Sequence, residues 1–317
     1  MLRVGPSHFP TIWWRTRNVK NILDGPIDGG ILSGGSVGVG DNRGCDRRGA
    51  KSMGHVRLGR LPSSRDWRKI VGYVAAGDIS VAELADAVAD ASDKSLMKAI
   101  RDPALIEAIW LLMKIPHAAR SPNFAQELRA LGISVPANPT VTDVVAGFDA
   151  AVEAVQRQGG KGVTDLGEMA KQAGIAALYG VVQDRLPSLW APTREDERTT
   201  LASLDAPDRF GDLSQRFFSR LVEHNIQYFL DREMPKHIGP DKINHSIGDM
   251  VAFDGAVRRH CEETTVIMRA YAKDWLGNHG FHQGKNLSRK DASNFSYTAF
   301  EKIRSELSVR RSAHVSV

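Results

Sequence analysis

Cysteine is scarce in this chain, and long apolar runs are missing. Only 2 of its 317 residues are cysteine, Cys45 and Cys261. Two cysteines cannot form the disulfide framework of a small secreted domain, so their number favours a reducing compartment. No stretch approaches the roughly 18 apolar residues that a membrane-spanning helix requires. The first residues also lack the apolar core of a signal peptide. We therefore expect a cytoplasmic protein without a membrane partner.

Complete catalytic and cofactor motifs are also missing. Residues 44–52 approach a phosphate-binding loop, but Ala50 precedes Lys51 where that motif needs glycine. Residues 34–38 match the serine-hydrolase pattern Gly-x-Ser-x-Gly, but they lie in a glycine-rich stretch without the predicted strand and helix that form the elbow. The zinc motif His-Glu-x-x-His does not occur. The sequence therefore predicts no bound cofactor, and it leaves open whether the protein is an enzyme.

Positive charge is concentrated in the first segment. The chain carries a net charge of +5. Residues 1–52 hold eight Lys or Arg against four Asp, so they account for +4 and residues 53–317 for only about +1. A body this close to neutral lacks the overall electrostatic footprint of a protein that follows a nucleic-acid backbone.

The chain changes character near Met53. Ten of its 29 glycines fall within residues 1–52, where no helical or strand periodicity is visible. Such a segment cannot bury enough apolar surface to offset the entropy of ordering. We interpret residues 1–52 as a disordered tail or as a mis-annotated extension that precedes the true start at Met53. Residues 53–317 are predicted to form the helical domain.

Helix start and stop signals recur throughout residues 53–317. Thr140, Thr193 and Ser288 are typical N-caps, and apolar residues follow them at helical spacing. Pro116 and Gly277 are expected to end helices. The pattern predicts an all-α fold, an irregular bundle of about ten helices without a confident strand. Its clearest helices lie at 103–116, 122–131, 141–157, 165–186, 208–232, 246–276 and 288–307.

Histidine is enriched near the C-terminal end of the predicted bundle. Six of the ten histidines fall between residues 223 and 282: His224, His237, His245, His260, His279 and His282. Helical bundles hold metals with such side chains, so a metal-dependent enzyme is one hypothesis. The alternative is that each histidine is exposed or makes a single hydrogen bond. Cys261 is interpreted as a buried structural residue because it lies on an apolar helical seam.

Basic residues surround one tryptophan at the start of the predicted domain. This basic arm consists of Arg57, Arg60, Arg65, Trp67, Arg68 and Lys69. It could follow a phosphate backbone with a side chain stacked on a base, or it could dock an acidic protein surface. A third interpretation is a solvated helix face that buries Trp67 in the core.

Three segments carry a resemblance to known proteins: residues 56–62, residues 67–69 and residues 275–281. Through them the chain from Met53 to Arg311 resembles a group of uncharacterised all-helical bacterial proteins. That group belongs to multi-gene operons with a suggested role in defence. The resemblance implies a role that depends on partners, and it supplies no activity or catalytic residue.

Three hypotheses about function follow. The preferred one is a non-catalytic helical interaction subunit of a bacterial multi-protein assembly, with other proteins as partners. The second is a metal-dependent enzyme that uses the histidine-rich region 223–282. The third is a nucleic-acid-binding protein that uses the basic arm.

Overall fold

Nine helices and no strand make up the part of the chain that the structure describes, which confirms the all-α prediction. The structure is a computed structural model, and it describes residues 100–158, 162–187, 191–233, 247–283 and 286–314. The predicted boundary at Met53 and the first part of the predicted helical domain, residues 53–99, lie outside these residues. In chain order the helices are α1 (Pro103–Ala119), α2 (Phe124–Ala130), α3 (Val141–Gln158), α4 (Asp165–Gln183), α5 (Arg194–Ser203), α6 (Pro207–Glu233), α7 (Ile247–Thr264), α8 (Ile267–Gln283) and α9 (Arg289–His314).

Local capping fixes where several helices begin. Asp102 precedes Pro103 and accepts hydrogen bonds from the first free amides of α1. At α5, Thr193 and Asp196 bind each other's backbone amides in a capping box. These bonds satisfy amide groups that the helix itself leaves without a partner.

Helix α1 lies at the centre of the first half of the described fold. Its side chains are buried on nearly every face, with Leu105 and Leu111 fully enclosed. It packs against α3, α4, α5 and α9. A helix that is apolar all round can be stable only when neighbours cover every face.

Helices α6 and α8 form the most extensive helix pair, and α6 also packs on α4 and α7. Four aromatic rings pack in the core around this pair: Phe217, Phe218, Phe295 and Phe300. No described helix is long and apolar enough to cross a membrane.

The single helix predicted over 246–276 is wrong, because the structure breaks it between Thr264 and Ile267. The hydroxyls of Thr264 and Thr265 donate to the carbonyls of His260 and Cys261, at 2.8 and 2.7 Å. Such bonds bend helices, and here the amides of Val266, Met268 and Arg269 turn to carbonyls only three residues back.

Two expected helix ends are also wrong. Pro116 lies inside α1, which continues to Ala119. The proline lacks an amide hydrogen, so only one backbone hydrogen bond of the helix is lost. Because Pro116 lies in the last turn, few later hydrogen bonds are affected. Helix α8 likewise passes through Gly277 and ends at Gln283. Glycine only weakens a helix interior, by about 1 kcal/mol, and does not by itself stop it.

Candidate functional site

The residues of the basic arm, Arg57, Arg60, Arg65, Trp67, Arg68 and Lys69, lie outside the described residues. Nucleic-acid binding through this arm therefore stays a prediction. Charge reversal at Arg65 and Arg68 would test it, since each lost phosphate contact reduces the salt dependence of binding.

Side chains are described for three of the six clustered histidines. His224 is half-buried on α6, and burial lowers the pKa of its imidazole. His260 is buried on α7, with its Nε2 3.5 Å from the Thr264 hydroxyl. His279 lies on α8, where its Nδ1 is 2.9 Å from the Trp275 carbonyl. Among the side chains that the structure describes, no three His, Cys, Asp or Glu converge to hold a metal.

Cys261 is fully buried on α7, as the sequence predicts. Burial raises the pKa of its thiol well above the ordinary value, and the nearby Glu223 and Glu262 carboxylates raise it further. A thiol without access to solvent and without a stabilised thiolate is a poor nucleophile. Cys261 therefore serves packing rather than chemistry.

A mostly apolar groove runs along α8, and we call it the aromatic groove. Its volume is about 410 Å³. Helix α8 contributes seven of its lining residues and α9 contributes Lys302; the seven are Ile267, Ala270, Tyr271, Asp274, Trp275, Asn278 and His279.

One side of the aromatic groove is a row of residues spaced four apart. Ile267, Tyr271, Trp275 and His279 occupy successive turns of α8. Residues at this spacing lie one above the other on a single helix face. Twelve residues separate the first from the last, so the row is about 18 Å long at the helical rise of about 1.5 Å per residue.

Ring packing holds the three rings of this row in place. Tyr271 stacks on the buried Phe295 with ring centroids 5.1 Å apart, and Trp275 also packs against Phe295 at 4.9 Å. The His279 ring stacks on Trp275 at 4.0 Å. Because these rings are fixed, the aromatic part of the groove keeps its shape before any ligand arrives.

The polar groups of the groove have defined positions. Burial raises the pKa of Tyr271 to about 12, so its hydroxyl stays neutral at physiological pH. The Lys302 ammonium lies 5.3 Å from the centre of the Tyr271 ring. Asp274, on α8, is exposed. The groove is thus apolar along its length, with an acid on α8 and a base on α9.

Exposed apolar side chains continue the groove at its start. Val266 and Ile267 are 53% and 37% exposed, and they rank among only five large hydrophobic side chains exposed in the described part of the chain. They stand at the break between α7 and α8. Contiguous apolar surface of this kind marks interaction sites more often than isolated exposed residues do.

The sequence did not reveal this groove. Apolar residues three or four positions apart, including Met268, Tyr271 and Trp275, predict a single buried helix face. Of these three side chains only Met268 is fully buried, and the other two are partly exposed. The four-residue spacing from Ile267 to His279 was the signal that could have indicated a second apolar face.

No family model, curated protein or solved structure matches this chain. The resemblance to bacterial helical proteins therefore stays a prediction.

Proposed function

We propose that this protein is a non-catalytic helical interaction subunit that binds an amphipathic helix of a partner protein in the aromatic groove. The observation that carries the proposal is the row from Ile267 to His279, whose three rings are packed in place. The setting we propose is a bacterial multi-protein assembly with a suggested role in defence.

The dimensions of the groove favour a helix as its occupant. A row of about 18 Å matches about three turns of a partner helix. Such a helix would present apolar side chains at positions i, i+3 or i+4, and i+7, which is the usual arrangement for a helix in a groove. The row of apolar side chains on the partner helix would lie in the groove between the side chains of α8 and α9.

Charge on the two walls would orient the partner. Asp274 lies on α8 and the Lys302 ammonium lies on α9, beside Tyr271. A helix with Lys or Arg on one flank and Asp or Glu on the other would match both walls in only one direction. Complementary charges at the rim of an interface contribute mainly to orientation and association rate.

Site-specific crosslinking in the native host would identify the partner. A photo-reactive amino acid at Asn278 should capture one defined protein, whereas the same amino acid at exposed Ala150 on α3 should not. The captured protein would then be purified, and its affinity for the full chain measured directly.

Matched substitutions then test the groove itself. Ala270 and Ala150 are both exposed helix residues, so Ala270→Glu and Ala150→Glu should leave the fold intact. We expect Ala270→Glu to weaken binding at least about tenfold, because the carboxylate would lose solvent against an apolar surface. Ala150→Glu should bind like the unchanged chain.

Equal affinities of the two variants would show that the partner docks elsewhere. Recovery of only the isolated chain from the host, without a crosslink at either position, would reject the role of an interaction subunit.

A further inference from the structure

A second groove, of about 700 Å³, lies where α6 faces the end of α4 and the junction of α7 and α8. Four arginines and one serine define it, and we call it the arginine groove: Arg185, Arg216, Ser219, Arg220 and Arg269. It involves different residues from the aromatic groove, and nothing in the proposed function depends on it.

Carboxylates hold three of these arginines in fixed positions. Asp212 accepts from Arg185 at 2.7 Å and from Arg269 at 2.8 Å, through its two different oxygens. Arg216 pairs with Asp184 at 2.5 Å. Each guanidinium has five N–H donors, and these ion pairs use one donor each. Arg185 uses one further donor on the Val181 carbonyl, at 3.2 Å. The three arginines are thus oriented by bonds that use at most two of their five donors.

A buried carboxylate holds the fourth arginine. Glu223 on α6 is almost fully buried, and it accepts from Arg220 at 2.7 Å and from Arg258 at 3.1 Å. Glu223 therefore links Arg220 of the groove to α7 through Arg258.

The network carries an excess of positive charge. It comprises the four arginines of the groove and Arg258, and its carboxylates are Asp184, Asp212, Glu223 and Glu262. Five positive charges against four negative charges leave about +1 in a partly enclosed space. An anionic group would neutralise this excess.

Ser219 points to the same kind of ligand. It lines the arginine groove and is only 3% exposed, yet its hydroxyl oxygen has no hydrogen-bond partner in the described part of the chain. Buried hydroxyls normally have a partner, because an unmade hydrogen bond costs stability. The oxygen is shielded from solvent in the present rotamer, so an acceptor atom in the groove would supply a partner once the hydroxyl rotates towards it.

The backbone makes room for one of the guanidinium groups. A Cβ atom on Gly180 of α4 would lie 2.6 Å from a terminal nitrogen of Arg216. A larger residue there would displace this guanidinium, so glycine lets Arg216 lie close over α4.

We propose that the arginine groove binds a phosphate group. Guanidinium groups bind phosphate oxygens through paired N–H donors, and a serine hydroxyl adds a further donor. The groove is larger than a phosphate ion requires, so the group belongs to a larger molecule, either a nucleotide or a phosphorylated side chain of a protein.

Calorimetric titration of the full chain with inorganic phosphate tests the site, with chloride used to hold ionic strength constant. We expect saturable binding that Arg216→Gln and Arg269→Gln each weaken at least tenfold. Both arginines are substantially exposed, so the variants should fold. Arg194→Gln, an exposed arginine outside this groove, should bind phosphate normally.

Ser219→Ala separates a ligand contact from a structural role. Without phosphate the variant should unfold at the same or a higher temperature, because it removes a buried hydroxyl that lacks a partner. With phosphate its affinity should fall several-fold. An unchanged affinity in this variant, or in both arginine variants, would overturn the proposal. So would the absence of saturable phosphate binding.

Two further titrations identify the source of the phosphate. ATP without metal represents nucleotides, and a phosphoserine pentapeptide represents modified proteins. The ligand that binds at least tenfold more tightly than inorganic phosphate, and that loses affinity in Arg216→Gln, indicates the natural class.

Discussion

Arg289, at the start of α9, binds both carboxylate oxygens of Glu107 in the middle of α1, at 2.5 and 2.8 Å. The two residues are 182 positions apart in sequence. The Glu107 side chain is only 4% exposed, and the Arg289 guanidinium lies 3.8 Å over the ring of Trp110. Trp110 in turn donates to the Leu287 carbonyl at 3.0 Å. This cluster fixes the last described helix to the central one.

Loss of Arg289 should destabilise the fold. Arg289→Met leaves Glu107 as a buried charge without its strongest partner, and we expect the free energy of unfolding to fall by about 2–3 kcal/mol. This expected loss is smaller than the roughly 3–5 kcal/mol typical of breaking a fully buried ion pair, because Arg289 is half exposed. Urea unfolding measures the change. As a control, Arg157→Met breaks an exposed pair with Glu153 and should cost only about 0.5 kcal/mol. Similar losses of unfolding free energy in both variants would show that the buried cluster stabilises the fold no more than an exposed ion pair does.

Three helix caps should make stability depend on acidic pH. Asp143, Asp196 and Asp291 each accept bonds from the hydroxyl and the backbone amide of the Thr or Ser three residues earlier. These bonds hold the pKa of each carboxyl below its ordinary value of 3.8. The stabilisation is therefore complete above about pH 4 and is lost as pH falls through the lower, folded-state pKa.

A triple Asp143→Asn, Asp196→Asn and Asp291→Asn variant should melt at a lower temperature than the unchanged chain at pH 7. The two melting temperatures should converge as pH falls below about 3. Melting curves followed by circular dichroism at several pH values provide the measurement. Parallel curves over the whole range would contradict the role of these caps.

The contact between α6 and α8 requires glycine at position 211. A Cβ atom there would lie 2.6 Å from the backbone carbonyl oxygen of Arg269. Gly211→Ala should therefore lower the free energy of unfolding by about 1–3 kcal/mol, because a backbone atom cannot move aside. Gly255→Ala on α7 is the matched control, since the nearest atom there is 3.7 Å away. The control should be neutral or stabilising by up to about 1 kcal/mol. A stabilising Gly211→Ala would refute the close approach.

Cys261 should react with thiol reagents only after unfolding. In a Cys45→Ser variant Cys261 is the single remaining thiol, so the rate of disulfide exchange with a chromogenic reagent reports it alone. We expect slow labelling at pH 8 whose rate rises with urea, because burial both excludes the reagent and raises the pKa of the thiol. Rapid labelling without denaturant would show that α7 unfolds locally from the core and exposes Cys261.

The sequence predicted those features that depend on neighbouring residues. The caps at Thr140, Thr193 and Ser288 indicated where helices begin, and apolar spacing indicated that the described chain is helical. These signals could be recognised because capping bonds and helical faces involve residues only three or four positions apart.

Tertiary structure alone decided which surfaces are covered and which stay open. Sequence spacing cannot show that Glu107 meets Arg289, or that Ser219 is buried beside four arginines. It also cannot show that Phe295 supports Tyr271 and Trp275 while Ile267 stays exposed. Each of these features depends on which distant helix packs against a given face. That choice reflects the packing of the whole core, so both proposed binding sites became visible only in the folded chain.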